Sequence, residues 1–374
     1  MTVDVVVVGG GIAGISSAYH LAATHSVALV EAEDHLARHS TGRSAALFFE
    51  NYGARSIRPL TLASRSFFTA PPEDLVDGPL VTSRGALWIG RPDQDGTLTR
   101  IAAEGRDLGS NIAELDPEEV ARRVPVIRPE RLVGGLWEPD PLDLDVAGTH
   151  QAFLRGFRRR DGELITSAPV TSLRRRDGRW QIEAGTHTLE ARLVVNAAGA
   201  WGDVLASRAN VAPVGLQPMR RTAFMVAGSE AYAGWPMVVD ADHDFYFKPD
   251  GVQLLCSPAD ETPSEPTDAR PDPLDVALAI ERINEATTLG IRSVRSEWAG
   301  LRTFAPDRAM VIGPDPSEPS FVWLVGQGGT GIQTAPAAGE LVATLIRGDA
   351  LTPALADVGV DPSLLAADRP SLAR

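Results

Sequence analysis

Three glycines, Gly9, Gly11 and Gly14, stand in the spacing G-x-G-x-x-G directly after the apolar, β-branched run at residues 3–8. That arrangement is suited to holding a pyrophosphate. The first glycine makes a tight turn, the second lets backbone approach the phosphates, and the third lets a following helix pack on its strand. A helical pattern at residues 15–23 follows, with Ala13 just ahead of it, and its N-terminus would offer free N–H groups and a positive dipole end. A second strand at residues 27–30 ends at Glu31, beside Ala32, where a carboxylate can accept both hydroxyls of a ribose. Strand, glycines, helix, strand and terminal acid in register predict a bound dinucleotide.

The loop that comes next argues for which dinucleotide. A nicotinamide-binding domain would continue with further strand–helix–strand repeats. Here the chain enters Arg38-His39-Ser40-Thr41-Gly42-Arg43-Ser44-Ala45-Ala46. Its small residues let backbone approach a bulky ring, while Ser40, Thr41, Ser44 and Arg43 are of the types that reach phosphate. This fits FAD lying extended across the domain. His39 reads as a loop histidine without catalytic duty.

A second G-x-G-x-x-G occurs at Gly326, Gly328 and Gly331, after an apolar run at residues 321–325 and before a helical stretch at 332–346. No strand follows to carry a ribose acid, so a second nucleotide site is not expected. Instead Gly328, Gly329, Thr330, Gly331, Ile332 and Gln333 would form a helix start aimed at the flavin ring. A positive dipole end there stabilises the negative charge of a reduced flavin. A third apolar run, Leu193-Val194-Val195-Asn196, leads into Ala197-Ala198-Gly199-Ala200-Trp201, small residues suited to meeting a ligand; Gly199 and, further upstream, Val170 are expected to line the cofactor site.

Elements able to position these groups require two domains, consistent with 374 residues. Residues 1–78, 135–210 and 289–374 are expected to form a discontinuous Rossmann-like FAD-binding domain of α/β type. Residues 79–134 and 211–288 are expected to form an inserted, mainly antiparallel-sheet domain of α+β type that binds substrate. Asp177-Gly178 signals a hairpin between strands near 170–174 and 180–183. The net charge of −14 disfavours nucleic acid as a partner. A single cysteine, Cys256, excludes an intramolecular disulfide and multi-cysteine metal sites, and no metal is expected. No apolar run is long enough for a transmembrane segment. The N-terminus has no basic leader, so the expected location is the cytoplasm, with peripheral attachment to the inner membrane as the alternative.

These blocks, with Gln217-Pro218-Met219-Arg220-Arg221, Trp298-Ala299-Gly300-Leu301-Arg302 and Gln327-Gly328-Gly329-Thr330-Gly331-Ile332-Gln333-Thr334, fall in an order that resembles the D-amino-acid oxidase/glycine oxidase superfamily of FAD enzymes. Within it the sequence is most similar to the bacterial D-arginine dehydrogenases. The resemblance implies that Arg221 and Arg302 grip a substrate carboxylate, aided by Tyr246 and by Tyr52 on a mobile loop at about 48–53. Taken without it, the two arginines read as surface or ion-pair residues and Tyr246 as core. It further implies hydride transfer from Cα to the flavin, with a carbonyl near Gly329 or Thr330 orienting the neutral amine. The imino acid would then hydrolyse to a 2-oxo acid and ammonia. D stereochemistry rests on the resemblance alone.

Departures from that pattern bear on the substrate. Ala86 stands where the arginine enzymes have an acid, Leu47 where they have a histidine, Phe49 for a threonine and His243 for an acid. A buried guanidinium without an acid is costly, so a neutral, apolar D-amino acid is expected. No cysteine lies near Ala305-Pro306-Asp307, where sarcosine oxidases attach flavin, so FAD is expected to be non-covalent. Lys248, the sole lysine, precedes the region where an oxygen-activating lysine would stand. This favours a quinone or other electron carrier over dioxygen as acceptor. The alternatives are a glycine or sarcosine-type amine oxidase and a flavoprotein subunit without turnover of its own.

Overall fold

The computed structural model describes residues 1–372. Its first layer is a sheet whose parallel core runs Glu163–Ile165, Val27–Val30, Thr2–Val8, His187–Asn196 and Phe321–Val325. Val5 to Val8, Val194, Val195 and Phe321 to Val325 are buried, as expected of strands covered on both faces. The first half of His187–Asn196 pairs instead with a hairpin, Val170–Arg176 and Arg179–Ala184. Asp177 and Gly178 turn that hairpin, both with positive φ (51° and 78°), the geometry of a twist-matched two-residue turn.

The helix expected at 15–23 spans Ile12–Leu21, and it is not amphipathic. Even Ser16 and Ser17 are fully buried, and each donates its hydroxyl back to Ala13 O. The reason is crowding from both sides, by the helices Gly331–Arg347 and Val146–Arg159. Contact with the former is close because Gly339 has no side chain. A Cβ there would lie 2.7 Å from Ser16 carbonyl carbon.

The second layer is a nine-stranded, mainly antiparallel sheet. Period-two alternation divides its residues cleanly. Leu87, Ile89, Phe224, Val226, Phe247, Leu254 and Cys256 face the helix Pro273–Ala286 and form one core. Ala86, Trp88, Ala223, Met225, Val239, Tyr246 and Leu255 form the opposite face. Burial pushes the Cys256 thiol pKa up, and the residue lies on the face away from Tyr246. The pairing moves two of the expected domain boundaries. Gly134–Glu138 pairs with Ala86–Gly90, and Ser296–Phe304 pairs with Gln217–Ala227, so both belong to this sheet. Their apolar alternation is local, but their partners are distant in sequence.

A small third sheet joins Leu47–Phe48, Leu142–Leu144 and Val81–Ser83. Asp143 in its central strand accepts from Lys248 Nζ at 2.6 Å and from Arg84 Nε at 2.6 Å. Among the described residues no helix is long and apolar enough to cross a membrane.

Two glycines give opposite predictions. Gly339→Ala should cost about 1–3 kcal/mol, because backbone must move apart to admit the methyl. Gly96→Ala, in the helix Asp95–Asp107 with nothing within 4 Å of its added Cβ, should gain about 0.5 kcal/mol. Denaturant unfolding of both variants checks the pair; equal effects would refute the close-contact account.

Candidate active site

The first glycine motif closes on the sheet itself. Gly9 has φ +112°, and a Cβ there would lie 2.4 Å from Ala197 O. At Gly14 an added Cβ would lie 1.8 Å from Gly9 O, which is the close helix–strand packing anticipated from the spacing. Gly11 caps the helix Ile12–Leu21 and supplies no side-chain acceptor; Thr41 Oγ1 accepts from Ile12 N–H at 3.0 Å. Glu31, at the end of its strand, is aimed by two backbone bonds. Its Oε2 accepts from Gly10 N–H at 2.6 Å and its Oε1 from Glu33 N–H at 2.9 Å.

These groups border a cleft of about 370 Å³, which Gly9, Gly11, Ala13, Glu31, Ala32, Ser40, Thr41, Val170, Gly199 and Gly328 all line. The cleft fits a dinucleotide: glycines at Gly9 and Gly14 where a Cβ would clash, an acid fixed at the end of its strand, and a helix start whose N-cap, Gly11, has no side chain. His39 lies on its border, its Nε2 within 2.8 Å of Glu33 Oε1 and its ring against Trp201 at 4.8 Å.

Two residues expected to contact the cofactor are otherwise engaged. Arg43 donates to Ala299 O at 2.8 Å, to Ala269 O at 3.1 Å and to the Asp268 carboxylate. Its guanidinium therefore fastens the loop to the substrate sheet, because two carbonyls and an acid lie within its reach. Gln333 is buried, with Oε1 accepting from Phe49 N–H at 3.0 Å and Nε2 donating to Phe49 O and Thr61 Oγ1. It anchors the start of the 48–53 loop. Ser44 and Ala45 line the next cavity, while Ala46 adopts a positive φ of 31° and donates its N–H to Ser44 Oγ.

That next cavity, of about 100 Å³, lies between the Gly328–Ile332 segment and the large sheet. Arg221, Arg302, Tyr246, Gly329 and Gly331 border it. Strand register explains why the two arginines meet. Arg221 pairs with Gly300 and Met219 with Arg302, so the guanidiniums are diagonal neighbours on one face. Arg220 points to the other face, where Asp260 and Asp275 pair with it. Only one arginine of the doublet reaches the cavity.

Arg302 Nη1 donates to Tyr52 Oη at 2.7 Å. Burial works against its charge, but Tyr52, Tyr246 and Glu261 outweigh it and raise its pKa. For Arg221, burial and then repulsion from Arg302 lower it. Arg221 Nη2 donates to Glu261 Oε1 at 3.0 Å, and its buried Nε has no hydrogen-bond partner among the described residues. Thr330 caps the helix Gly331–Arg347 without using its side chain as acceptor; its hydroxyl donates to Gln327 O at 2.9 Å.

None of the expected specificity residues Phe49, Ala86, His243 and Leu47 borders this cavity; Phe49 and Ala86 share an apolar cluster with Tyr246, which does. Phe49 is buried against Trp88 (ring centroids 6.2 Å apart) and covers the same apolar cluster as fully buried Ala86. His243 has φ +60° and meets Trp88 edge-on at 5.3 Å. Burial, then Arg221 and Arg302, lower its pKa. Leu47 pairs with Asp143 in the small sheet and does not border the cavity. Three functional candidates escaped the sequence reading: Trp88, Glu138 and Glu261. Trp88 was detectable from its alternation with Ala86. Glu138 lies opposite Ala86 across the strand pair. Its buried carboxyl accepts from Trp88 Nε1 at 2.9 Å and from Asn51 Nδ2 at 3.2 Å, and burial raises its pKa.

Comparison with known proteins agrees with this architecture. The profile of the family DAO, "FAD dependent oxidoreductase", matches residues 4–345. FAD-dependent oxidoreductase domain-containing protein 1 of Bos taurus is 26% identical, over 92% of this chain and 81% of its own. Glycine oxidase of Bacillus licheniformis is 25% identical, over 92% and 93%. The crystal structure of glycine oxidase from Geobacillus kaustophilus superposes with a TM-score of 0.84 at 21% identity, covering 96% of this chain and 98% of that one, and so shares the fold. With a family match over nearly its whole length, the chain belongs to the DAO family of FAD-dependent oxidoreductases.

Proposed function

We propose that this protein oxidises the Cα–N bond of a D-amino acid with a neutral, apolar side chain, yielding an imino acid that water hydrolyses to a 2-oxo acid and ammonia. The observation that carries the reading is the pair Arg221 and Arg302 on one sheet face, bordering a cavity shared with Tyr246 and Gly329. Two guanidiniums with phenols beside them are suited to fixing an α-carboxylate, and fixing it sets the position of Cα. FAD supplies the two-electron acceptor. The chain's own part would be to orient the substrate, a carbonyl near Gly329 or Thr330 accepting from the amine and the 48–53 loop closing over it.

The apolar preference is supported by Phe49, Trp88 and Ala86 in one cluster, and by Glu138 being already bonded to Trp88 and Asn51. The narrower likeness to D-arginine dehydrogenases rests on the shared motif order; D stereochemistry has the same support. A second reading, oxidation of glycine or an N-methylglycine, is favoured by the cavity's size of about 100 Å³ and by the likeness to glycine oxidase. Electron transfer to a quinone or other carrier rather than dioxygen is supported by Lys248, whose ammonium is committed to Asp143. Non-covalent attachment of FAD is supported by Cys256 lying on the sheet face away from the cavity.

Anaerobic addition of D- and L-amino acids, glycine and sarcosine one at a time, following the flavin absorbance, tests the reading. Bleaching by D-leucine or D-methionine ahead of glycine, sarcosine and the L series is expected; bleaching by glycine or sarcosine alone would establish the second reading. Arg302→Met should lower kcat/KM by about 2–5 kcal/mol of transition-state binding, roughly 30-fold to several thousand-fold, while flavin content stays at the wild-type level. An unchanged kcat/KM would remove Arg302 from the substrate. Lys248→Met should leave reoxidation of the reduced protein by air unaltered and cost about 1.5–3 kcal/mol of stability through the lost bond to Asp143. Slowed reoxidation would show that the lysine serves oxygen after all.

A further inference from the structure

Folded proteins leave very few buried polar atoms without a hydrogen-bond partner, because each such atom has lost its water and gained nothing. Thr303 Oγ1 and Gln327 Nε2 are two of them: both are buried, and neither has a partner among the described residues. Both residues border the cofactor cleft, and Gln327 borders the arginine-lined cavity as well. The two orphaned groups therefore lie toward the end of the cleft where the two cavities adjoin. Polar side chains nearby in the same segment are satisfied. The Thr330 hydroxyl donates to Gln327 O, and the Gln333 amide is bonded at both its oxygen and its nitrogen.

Backbone geometry brings the pair together. Thr303 follows Arg302 in the strand Ser296–Phe304, and successive side chains of a strand point to opposite faces. Arg302 accordingly borders the smaller cavity and Thr303 the cleft. The Thr303 carbonyl accepts from Gly328 N–H at 2.9 Å, which fastens the glycine turn to the strand and sets Gln327 beside it. Gln327 is then folded over the helix start. Its carbonyl accepts from Thr330 N–H at 2.9 Å, and a Cβ on Gly331 would lie 3.3 Å from Gln327 Cβ and 3.6 Å from its Oε1.

We propose that Thr303 and Gln327 are hydrogen-bonding partners of FAD, holding the end of the cofactor that adjoins the substrate cavity. A hydroxyl that can donate or accept and an amide that donates suit the carbonyls, ring nitrogens and hydroxyls of that half of the cofactor. Neighbouring residues of one strand, Arg302 and Thr303, would then serve substrate and cofactor, so that the strand itself sets the spacing between them. The assignment to FAD does not depend on which amine is oxidised.

Thr303→Val and Gln327→Met replace each polar group with an apolar one of similar shape. Serial dilution of the FAD-loaded protein, with the fluorescence of released FAD as readout, gives the affinity. Each substitution should weaken FAD binding about two- to tenfold, the worth of one hydrogen bond. Thr303→Ser keeps the hydroxyl and loses the methyl, and it should hold FAD close to the wild-type level. If packing alone mattered, the order would reverse, with valine matching the wild type and serine releasing FAD; that order overturns the role of Thr303. Thr344→Val removes another buried hydroxyl without a partner, one that borders neither cavity, and should leave FAD affinity unchanged. A loss there equal to that of Thr303→Val overturns the role of Thr303 too. Unchanged FAD affinity in Thr303→Val or Gln327→Met overturns the assignment of that residue, and such a variant should unfold at a higher temperature because an unsatisfied group has gone. No amine enters the measurement, so a flavin that no amine reduces would sink the proposed substrate and leave this assignment standing.

Discussion

Two guanidiniums side by side on a largely buried sheet face are the constraint around which the rest of the site is arranged. Each loses hydration, and each repels the other; the lowered pKa of Arg221 reflects both effects. A buried charge left without a partner costs several kcal/mol. The chain offsets this with a phenol on Arg302 and an acid on Arg221, both arriving from loops rather than from the sheet. The compensation is incomplete, since Arg221 Nε remains without a partner among the described residues. A site that is under-satisfied in its own fold is poised for an anion, and an α-carboxylate supplies one with the right planarity.

Backbone register makes that arrangement possible. The strands Gln217–Ala227 and Ser296–Phe304 pair over nine residues, from Gln217 opposite Phe304 to Met225 opposite Ser296. A slip of one residue would carry Arg221 to the helix-covered face and bring Arg220 to the cavity. Register is secured by the alternation around it: Phe224 and Val226 bury against one core, Ala223 and Met225 against the other. Asp260 adds a polar lock by accepting from Thr222 N–H at 2.6 Å while pairing with Arg220. The parallel sheet does the corresponding work for the cofactor cleft. It sets Gly9, Glu31 and Ala197 at the ends of neighbouring strands, where the cleft opens.

What could be read from the sequence was what depends on near neighbours. The glycine motif, the terminal acid, the Asp177-Gly178 turn and the helix after Gly331 all use signals within a few residues, and the structure has these elements. The features that escape a sequence reading depend on distant partners. Residue type points Arg43 to phosphate, but Asp268, Ala269 and Ala299 are more than 200 positions away and only the fold brings them to it. The motif points Gln333 to the cofactor, yet its amide spans to Phe49 and Thr61. Glu138 was hidden by a domain boundary drawn at residue 135, and Glu261 by lying in an acidic loop with no periodic pattern. Arg221 and Arg302 could be singled out only through resemblance, because nothing local distinguishes an arginine in a cavity from one on a surface.

The 48–53 loop shows how cofactor, clamp and specificity wall are coupled without a continuous element joining them. Gln333, one turn into the helix whose N-terminus borders the cavity, holds both backbone groups of Phe49. Phe49 covers the Trp88 wall, and two residues later Asn51 reaches the Glu138 carboxyl that Trp88 also binds. Tyr52 then ends the run on Arg302. Gly53, with φ +104° and a Cβ position only 2.9 Å from Thr330, allows the chain to turn there. Phe48 and Phe49 root the loop in the core, while its tip is attached by hydrogen bonds at Asn51 and Tyr52 and can open at modest cost. Its closed position nevertheless depends on Arg302, the same group that a substrate carboxylate would engage. Loop closure and carboxylate binding therefore draw on one guanidinium, and whatever occupies the clamp also decides how firmly the wall above it is held.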